Sequence, residues 1–237
     1  MDHAGYVTLA RQSGLMRELQ VVANNIANMD TSGYRGEGVI FSEYMRRTEG
    51  APDISMGAAN ARTVSPLQGE LEATGAPFDL AIEGEGHFLV ETPGGDRLTR
   101  AGVFTPNAAG ELVTPEGHRL LDAGGAPIFA PPDAESIAIA SDGTISAGDR
   151  PLGQIGLWQP ADPTGMRRED GVLFRADGGV QPGAPGRILQ GYREASNVDP
   201  IGEVARMVAV QRAYEMGQSF LDAEHQRIRN AIGTFVK

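Results

Sequence analysis

Residues 199–235 read DPIGEVARMVAVQRAYEMGQSFLDAEHQRIRNAIGTF, and this stretch predicts one long C-terminal helix. Asp199 suits the N-cap and Pro200 the first helical position. Seam positions then alternate by three and four residues without a slip, at Met207, Val210, Tyr214, Gly217, Leu221, Glu224, Ile228, Ala231 and Phe235. Gly217 and Glu224 weaken this seam but do not shift it. A helix of roughly 50 Å with such a seam needs a partner along its length.

The N-terminal end carries a matching pattern. Leu15, Leu19, Val22 and Ile26 recur at spacings of four, three and four, which predicts a helix from about residue 4 to Asn28. Turn-forming residues follow from Asn28 to Gly33 and indicate where the helix ends. The two seams predict a discontinuous helical domain formed by residues 1–35 and 196–237.

The middle of the chain has a different composition. All 15 prolines lie between Pro52 and Pro200, and 27 of the 32 glycines lie between residues 31 and 200. Short alternating runs at 78–83 and 87–91, separated by glycine-rich turns, predict antiparallel strands. We therefore expect an α+β fold with a central, mostly antiparallel β domain at 67–195. Residues 36–66 are expected to form an extended or mobile linker.

Composition excludes several classes of protein. The 237 residues carry a net charge of −11, contain no cysteine, and have a single lysine, Lys237. Disulfides, thiolate metal sites, P-loops and Schiff-base lysines are therefore excluded, and nucleic-acid binding is not expected. Residues 1–28 include Asp2, Arg11, Arg17 and Glu18, so we expect neither a cleaved signal peptide nor membrane insertion.

No catalytic, cofactor-binding or metal-binding residue is predicted, and no small-molecule substrate. The four histidines are scattered along the chain, and no HExxH, GxSxG or EF-hand pattern occurs. Gly84-Glu85-Gly86 lies between two predicted strands with no helix after it, so it predicts a tight hairpin rather than a phosphate-binding loop. Carboxylates are plentiful, but their spacing selects no acid–base pair.

Three asparagines, Asn24, Asn25 and Asn28, lie in the last turns of the first predicted helix. Asparagine is a poor helix former because its side chain competes for backbone hydrogen bonds. One interpretation is a frayed helix end capped by Asn28. The other is that the amides bond to a neighbouring chain or to the facing helix and fix an axial register.

These asparagines belong to a pattern that resembles the flagellar basal-body rod and hook proteins. Residues 24–28 (NNIAN) and 31–35 (TSGYR) resemble the family's ANN(L/I)AN and T(T/S/P)G(F/Y)(K/R) motifs, with Met29-Asp30 between them. Residues 196–199 (SNVD) and 211–215 (QRAYE) resemble its C-terminal motifs. In the middle, residues 80–88, 98–104, 110–114 and Gly117 resemble its repeated short strands, so the resemblance spans about residues 4–235.

The resemblance implies a non-enzymatic structural subunit of the rod, most similar in length and opening residues to the proximal-rod type, with the distal-rod type as the alternative. Its partners would be copies of itself, other rod subunits and, in transit, the flagellar type III export apparatus. Its location would be the rod in the periplasm. Heterologous contacts that do not close would generate the axial filament. The residues expected to carry assembly are Leu15, Leu19, Val22, Asn24, Asn25, Ile26, Asn28, Gly33, Tyr34, Asn197, Met207, Val210, Tyr214, Leu221, Ile228 and Phe235.

Two other functions remain compatible with the sequence. One is a secreted ligand-binding β domain with a coiled-coil dimerisation segment, and the other is a cell-wall glycan hydrolase.

Overall fold

Two long helices lie towards the ends of the chain in the computed structural model, which describes residues 3–46, 54–131 and 136–235. Helix α1 spans His3–Ala27 and helix α2 spans Pro200–Phe235. Asp199 caps α2: its Oδ1 accepts from the Ile201 N–H at 3.1 Å and its carbonyl from the Glu203 N–H at 3.0 Å. Both predicted helices are therefore confirmed, and α1 ends within one residue of its predicted end.

The described residues divide into two compact units. The helical unit draws on the ranges Met1–Met29, Gly36–Ser65 and Val198–Lys237, and contains α1, α2 and the strands β1 (Glu37–Arg46) and β2 (Ile54–Val64). The β unit comprises Asp30–Arg35 and Pro66–Asn197. The chain thus passes between the units four times.

These boundaries differ from the expected ones in two places. Residues 36–65 belong to the helical unit, where β1 and β2 form an antiparallel hairpin, with a bulge after Ile40, and both strands contact α1. Residues 30–35 belong to the β unit because Gly33, Tyr34 and Arg35 make their hydrogen bonds there. Part of the expected mobile stretch, residues 47–53, lies outside the described residues.

In its described residues, the β unit consists of short strands and one 3-10 turn. Its strands are β3 Leu71–Ala73, β4 Leu80–Glu83, β5 Phe88–Thr92, β6 Gly95–Thr99, β7 Thr105–Pro106, β8 Leu112–Val113, β9 Arg119–Leu120, β10 Ile137–Ile139, β11 Thr144–Ala147, β12 Arg150–Gln154, β13 Trp158–Pro160, β14 Met166–Asp170, β15 Leu173–Ala176, β16 Val180–Pro182, β17 Arg187–Gln190 and β18 Tyr192–Glu194. The 3-10 turn spans Pro163–Gly165.

All strand pairs of the β unit are antiparallel. Seven strands form one sheet in the order β14-β15-β6-β5-β9-β8-β7, β10-β11-β12 form another, and β17–β4, β18–β3 and β13–β16 form pairs. Apolar side chains from the seven-stranded sheet, the three-stranded sheet and the β17–β4 pair meet in one core, with Leu80, Phe88, Leu120 and Ile145 almost completely buried. The expected α+β fold with an antiparallel β domain is confirmed.

The predicted hairpin at Gly84-Glu85-Gly86 is wrong. Among the described strands β4 pairs with β17, and β5 pairs with β6 and β9. Gly84 and Gly86 both adopt positive φ values, 92° and 118°, and carry the chain from one sheet to another. A Cβ at Gly86 would lie 2.8 Å from the Ala184 Cβ, so this position requires glycine for its close approach as well as for its φ.

Candidate assembly surface

Helices α1 and α2 pack side by side and antiparallel in the helical unit. Asn25 Nδ2 donates to Glu203 Oε1 at 3.1 Å, Arg206 pairs with Glu18 at 2.9 Å, and Gln12 Nε2 donates to the Tyr214 carbonyl at 2.8 Å. Residue numbers therefore rise along α1 as they fall along α2, which defines the direction and register of the pair.

The predicted seam residues occupy different depths in this pair. Val22 and Val210 are buried, Leu15, Leu19, Ile26, Met207, Tyr214 and Leu221 are half-buried, and Ile228 is exposed. The side chain of Phe235 lies outside the described residues. Val21, which the heptad pattern did not select, is also buried, since α1 packs against the β1–β2 hairpin as well as against α2. The helix thus has two covered faces, and only one follows the seam.

Asn25 joins three elements of the helical unit. Its Oδ1 accepts from the Glu37 N–H at 2.9 Å, and its Nδ2 donates to the Glu37 carbonyl at 2.8 Å as well as to Glu203. The amide therefore pairs with the backbone of β1 as a neighbouring strand would. With 1% of its surface exposed, Asn25 acts within the chain and bonds to the facing helix.

Asn28 makes the local bonds that the first interpretation of the asparagines predicts, those of a capped helix end. Its Nδ2 donates to the Asn24 carbonyl at 2.8 Å, and its own N–H bonds to the same carbonyl at 3.2 Å. These bonds satisfy a carbonyl of the last helical turn. Asn24 and Asn28 thus close the end of α1, and the three asparagines have two separate roles.

Gly33, Tyr34 and Asn197 belong to the β unit. Gly33 has a φ of 70°, and a Cβ there would lie 2.3 Å from the Ala101 nitrogen. Its N–H donates to the Glu194 carbonyl at 2.8 Å, and the Asn197 N–H donates to the Tyr34 carbonyl at 3.3 Å. Tyr34 is fully buried, with the Arg168 guanidinium 4.3 Å from the centre of its ring.

A buried ion cluster holds this part of the β unit together. Arg35 Nη2 lies 2.7 Å from Glu194 Oε1, and Arg100 Nε lies 3.7 Å from Glu194 Oε2. Burial lowers the pKa of Arg100 to about 10, although the Glu194 carboxylate opposes this shift. Sequence reasoning did not select Glu194 as a functional residue. The available signal was the pair of arginines in the TSGYR and LTR segments, because a guanidinium that becomes buried is stabilised by a carboxylate partner.

A groove opens between α1 and α2 where Gln12 faces Gly217. We call it the Gln12 groove; it has a volume of about 320 Å³ and is lined by Thr8, Arg11, Gln12, Ala213, Met216, Gly217 and Phe220. A Cβ at Gly217 would lie 2.3 Å from Gln12 Nε2, so the glycine gives Gln12 access to the backbone of α2. Gly217 therefore has a packing role. The sequence pattern indicated only that this glycine weakens the apolar seam of α2.

Large apolar side chains remain exposed on α2 beside this groove and beyond it. They are Ile201, Val204, Val208, Met216, Phe220, Ile228 and Ile232. None of the described helices is long and apolar enough to cross a membrane. In the part of the chain that the structure describes, no three His, Asp or Glu side chains are grouped to hold a metal ion. The exposed apolar side chains of α2 are suited to packing against protein.

Sequence comparisons match three parts of the chain to flagellar protein families. Residues 8–35 match the family described as flagella basal body rod protein, residues 81–147 the flagellar hook protein FlgE/F/G D1 domain, and residues 189–234 the flagellar basal body rod FlgEFG protein C-terminal region. The three matches lie on the N-terminal helix and its turn, the centre of the β unit, and the end of that unit with α2.

Individual relatives agree with these matches. The flagellar basal-body rod protein FlgF of Caulobacter vibrioides is 38% identical over 98% of this chain and 97% of its own length. FlgF of Mesorhizobium japonicum is 38% identical over 91% of this chain and 90% of its own. The rod protein FlgG of Bacillus subtilis is 29% identical over 96% of this chain and 97% of its own. The chain therefore belongs to the flagellar basal-body rod protein family and is a FlgF-like member of it.

Proposed function

We propose that this chain is a non-enzymatic structural subunit of the proximal flagellar rod, and that its paired terminal helices are its assembly surface. The observation that carries the proposal is the apolar surface of α2 that the chain leaves uncovered, seven large side chains from Ile201 to Ile232. At 100° per residue these side chains are distributed around α2 and along its length, so more than one face of the helix offers apolar surface to other proteins.

The proposed partners are other copies of the chain and other rod subunits, with passage through the flagellar type III export apparatus before assembly. Membership of the rod family supports this role. The distal-rod type is the alternative within the family, because FlgG proteins also match the chain along nearly its full length.

Mass spectrometry of basal bodies purified from the native strain tests the proposal directly. We expect this chain in the rod fraction in stoichiometric amounts. Its absence from purified basal bodies that carry a complete rod and hook would contradict the proposed function.

A seam substitution tests the assembly surface. Leu221→Asp places a carboxylate on the half-buried face of α2, where desolvation without a partner costs several kcal/mol. We expect this variant to support neither a rod nor swimming, while its β unit keeps the near-ultraviolet circular dichroism of Trp158. Ala223→Asp changes an exposed position two residues away and should leave motility intact. Normal swimming of the Leu221 variant would remove this face of α2 from the assembly surface.

A further inference from the structure

The chain crosses into or out of the β unit at four points. Three short stretches carry these points, and we call them the exit segments: residues 30–35, 66–70 and 194–197. The apolar core of the β unit takes its side chains from residues between Phe78 and Ile188. The exit segments therefore lie outside this core in the sequence and need contacts of their own.

Glu194 binds the other two exit segments from within the third. Its Oε1 accepts from the Gly69 N–H at 3.1 Å and pairs with Arg35 Nη2 at 2.7 Å. Its backbone carbonyl accepts from the Gly33 N–H at 2.8 Å and from Ser32 Oγ at 3.0 Å. One residue thus holds all three segments, from a side chain that is 1% exposed.

Further hydrogen bonds join the exit segments directly to each other. Arg35 Nη1 donates to the Pro66 carbonyl at 2.8 Å. Asn197 Nδ2 donates to the Leu67 carbonyl at 2.6 Å, and the Asn197 N–H donates to the Tyr34 carbonyl at 3.3 Å. Each segment therefore bonds to both of the others. We call this closed set of bonds the exit lock.

The exit lock is polar and only partly satisfied. Arg35 Nε and Glu194 Oε2 are buried, and neither has a hydrogen-bond partner among the described residues. Arg100 Nε lies 3.7 Å from this Glu194 oxygen, which is beyond hydrogen-bond distance. A buried polar group without a partner lowers the stability of the network to which it belongs. The core, in contrast, is held by apolar contacts that need no directed bond to Glu194.

We propose that the exit lock is a separate cooperative element, which opens as one unit while the apolar core of the β unit stays folded. Local opening of the less stable part of a structure precedes global unfolding. Because each exit segment bonds to both of the others, opening frees all four crossing points together. Arg35, Arg100 and Asn197 come from three of the sequence motifs noted above, so these motifs have a role inside one chain.

Hydrogen exchange of the full chain, followed residue by residue by NMR, measures this opening. Three amides report on the lock, one from each segment: Gly33, Gly69 and Ala195, whose N–H groups donate to Glu194 and Glu70. The Leu121 and Ile155 amides report on the core. We expect one common protection factor for the three lock amides, at least about tenfold below that of the core amides.

The variant Glu194→Gln leaves the buried Arg35 without its charged partner. We expect all three lock amides to exchange faster by a common factor of about 100, while the core amides remain protected. Glu72→Gln is the matched control, because its carboxylate is 44% exposed and lies 2.8 Å from Arg193 in the β18–β3 pair. The same substitution there should change no exchange rate by more than about fivefold.

A core variant tests whether the lock opens independently. Ile145→Val removes one buried methylene group, which should speed exchange at Leu121 and Ile155 by about fivefold. The lock amides should keep their native rates, because the core is folded both before and after the lock opens. Faster exchange of the lock amides alongside the core amides in this variant would overturn the proposal.

Ser32→Ala provides a milder change within the lock, in case the Glu194 variant does not fold. It removes one bond to the Glu194 carbonyl and should speed the three lock amides by a common factor of about five. If Gly33, Gly69 and Ala195 responded by clearly different factors, the exit segments would open one by one, and the lock would not be a cooperative element.

Discussion

Asn25 links three elements of the helical unit, α1, β1 and α2. Its amide makes three hydrogen bonds, two to the Glu37 backbone in β1 and one to Glu203 in α2, from a position that is 1% exposed. Alanine would leave the Glu37 N–H and carbonyl without those partners. Each lost net bond costs about 1 kcal/mol, and an unpaired buried group adds about 1–3 more, against a gain in helix propensity of about 0.5 kcal/mol.

We therefore expect Asn25→Ala to lower the free energy of unfolding by about 2–4 kcal/mol. Urea unfolding followed by helical circular dichroism measures this. Asn28→Ala is the matched control: it removes a bond at the partly exposed end of α1 and should cost less than about 1 kcal/mol. If both variants lost the same free energy of unfolding, the three bonds of Asn25 would contribute no more than the single helix-end bond of Asn28.

His87 makes the β unit sensitive to acid. Burial, together with the nearby guanidinium groups of Arg100 and Arg35, lowers the pKa of His87 to about 3. Between pH 6.5 and about 3 the unfolded chain binds a proton at this site and the folded chain does not, so stability falls as the pH falls. The expected slope from this one group is about 1.4 kcal/mol per pH unit.

The variant His87→Phe should remove that slope, since an aromatic ring packs in the same place without titrating. Unfolding free energies at several values between pH 7 and pH 4 measure the difference from the native chain. Phe174→Leu is the control, because its ring contacts His87 at a centroid distance of 6.2 Å. It should lower stability by a similar amount at every pH. Parallel pH curves for the native chain and the His87 variant would contradict the assignment.

At the scale of the elements, local patterns predicted the helices well and strand partners poorly. The apolar seam of α2 predicts its helical period, and Asp199 and Pro200 predict where it starts. Both signals are local, because they act within a few residues. Strand β4 pairs with β17, which is more than a hundred residues away. The turn residues Gly84-Glu85-Gly86 do not predict that pairing. Turn residues indicate where a chain bends but do not determine what it then pairs with.

The same limit applies to the assembly residues. Heptad spacing found Val22 and Val210, which are buried in the helix pair. It could not find the β1–β2 hairpin that covers a second face of α1, nor Gln12, whose importance depends on the missing Cβ of Gly217. Gly33, Tyr34 and Asn197 stand out in the sequence, yet their bonds are made inside the β unit. Motif membership therefore identified the family more reliably than it identified individual roles.

At the scale of the whole molecule, the sequence placed the β domain at residues 67–195, whereas the β unit also includes residues 30–35. Tyr34 is fully buried in that unit, and Arg35 lies 2.7 Å from Glu194, whose side chain is 1% exposed. A fragment that omits them leaves Glu194 with Arg100 at 3.7 Å as its remaining ion pair. The boundary could not be read from composition because residues 30–35 are separated in sequence from the rest of the β unit by the hairpin at 36–65.

A β-unit fragment tests this boundary. The Ser65 N–H donates to the Gly36 carbonyl at 2.8 Å, so the hairpin can be replaced by a short turn that joins residues 30–36 to residues 65–197. We expect this fragment to fold as a soluble monomer and to unfold cooperatively in urea. Residues 67–195 alone should be less stable by about 3–5 kcal/mol, the cost of removing one partner from a buried ion pair, even before the loss of Tyr34 is counted. Arg35→Met in the longer fragment should reproduce most of that loss while keeping Tyr34 in place. If the two fragments were equally stable, Arg35 would contribute nothing to the β unit, and residues 30–35 would be only a connection to α1.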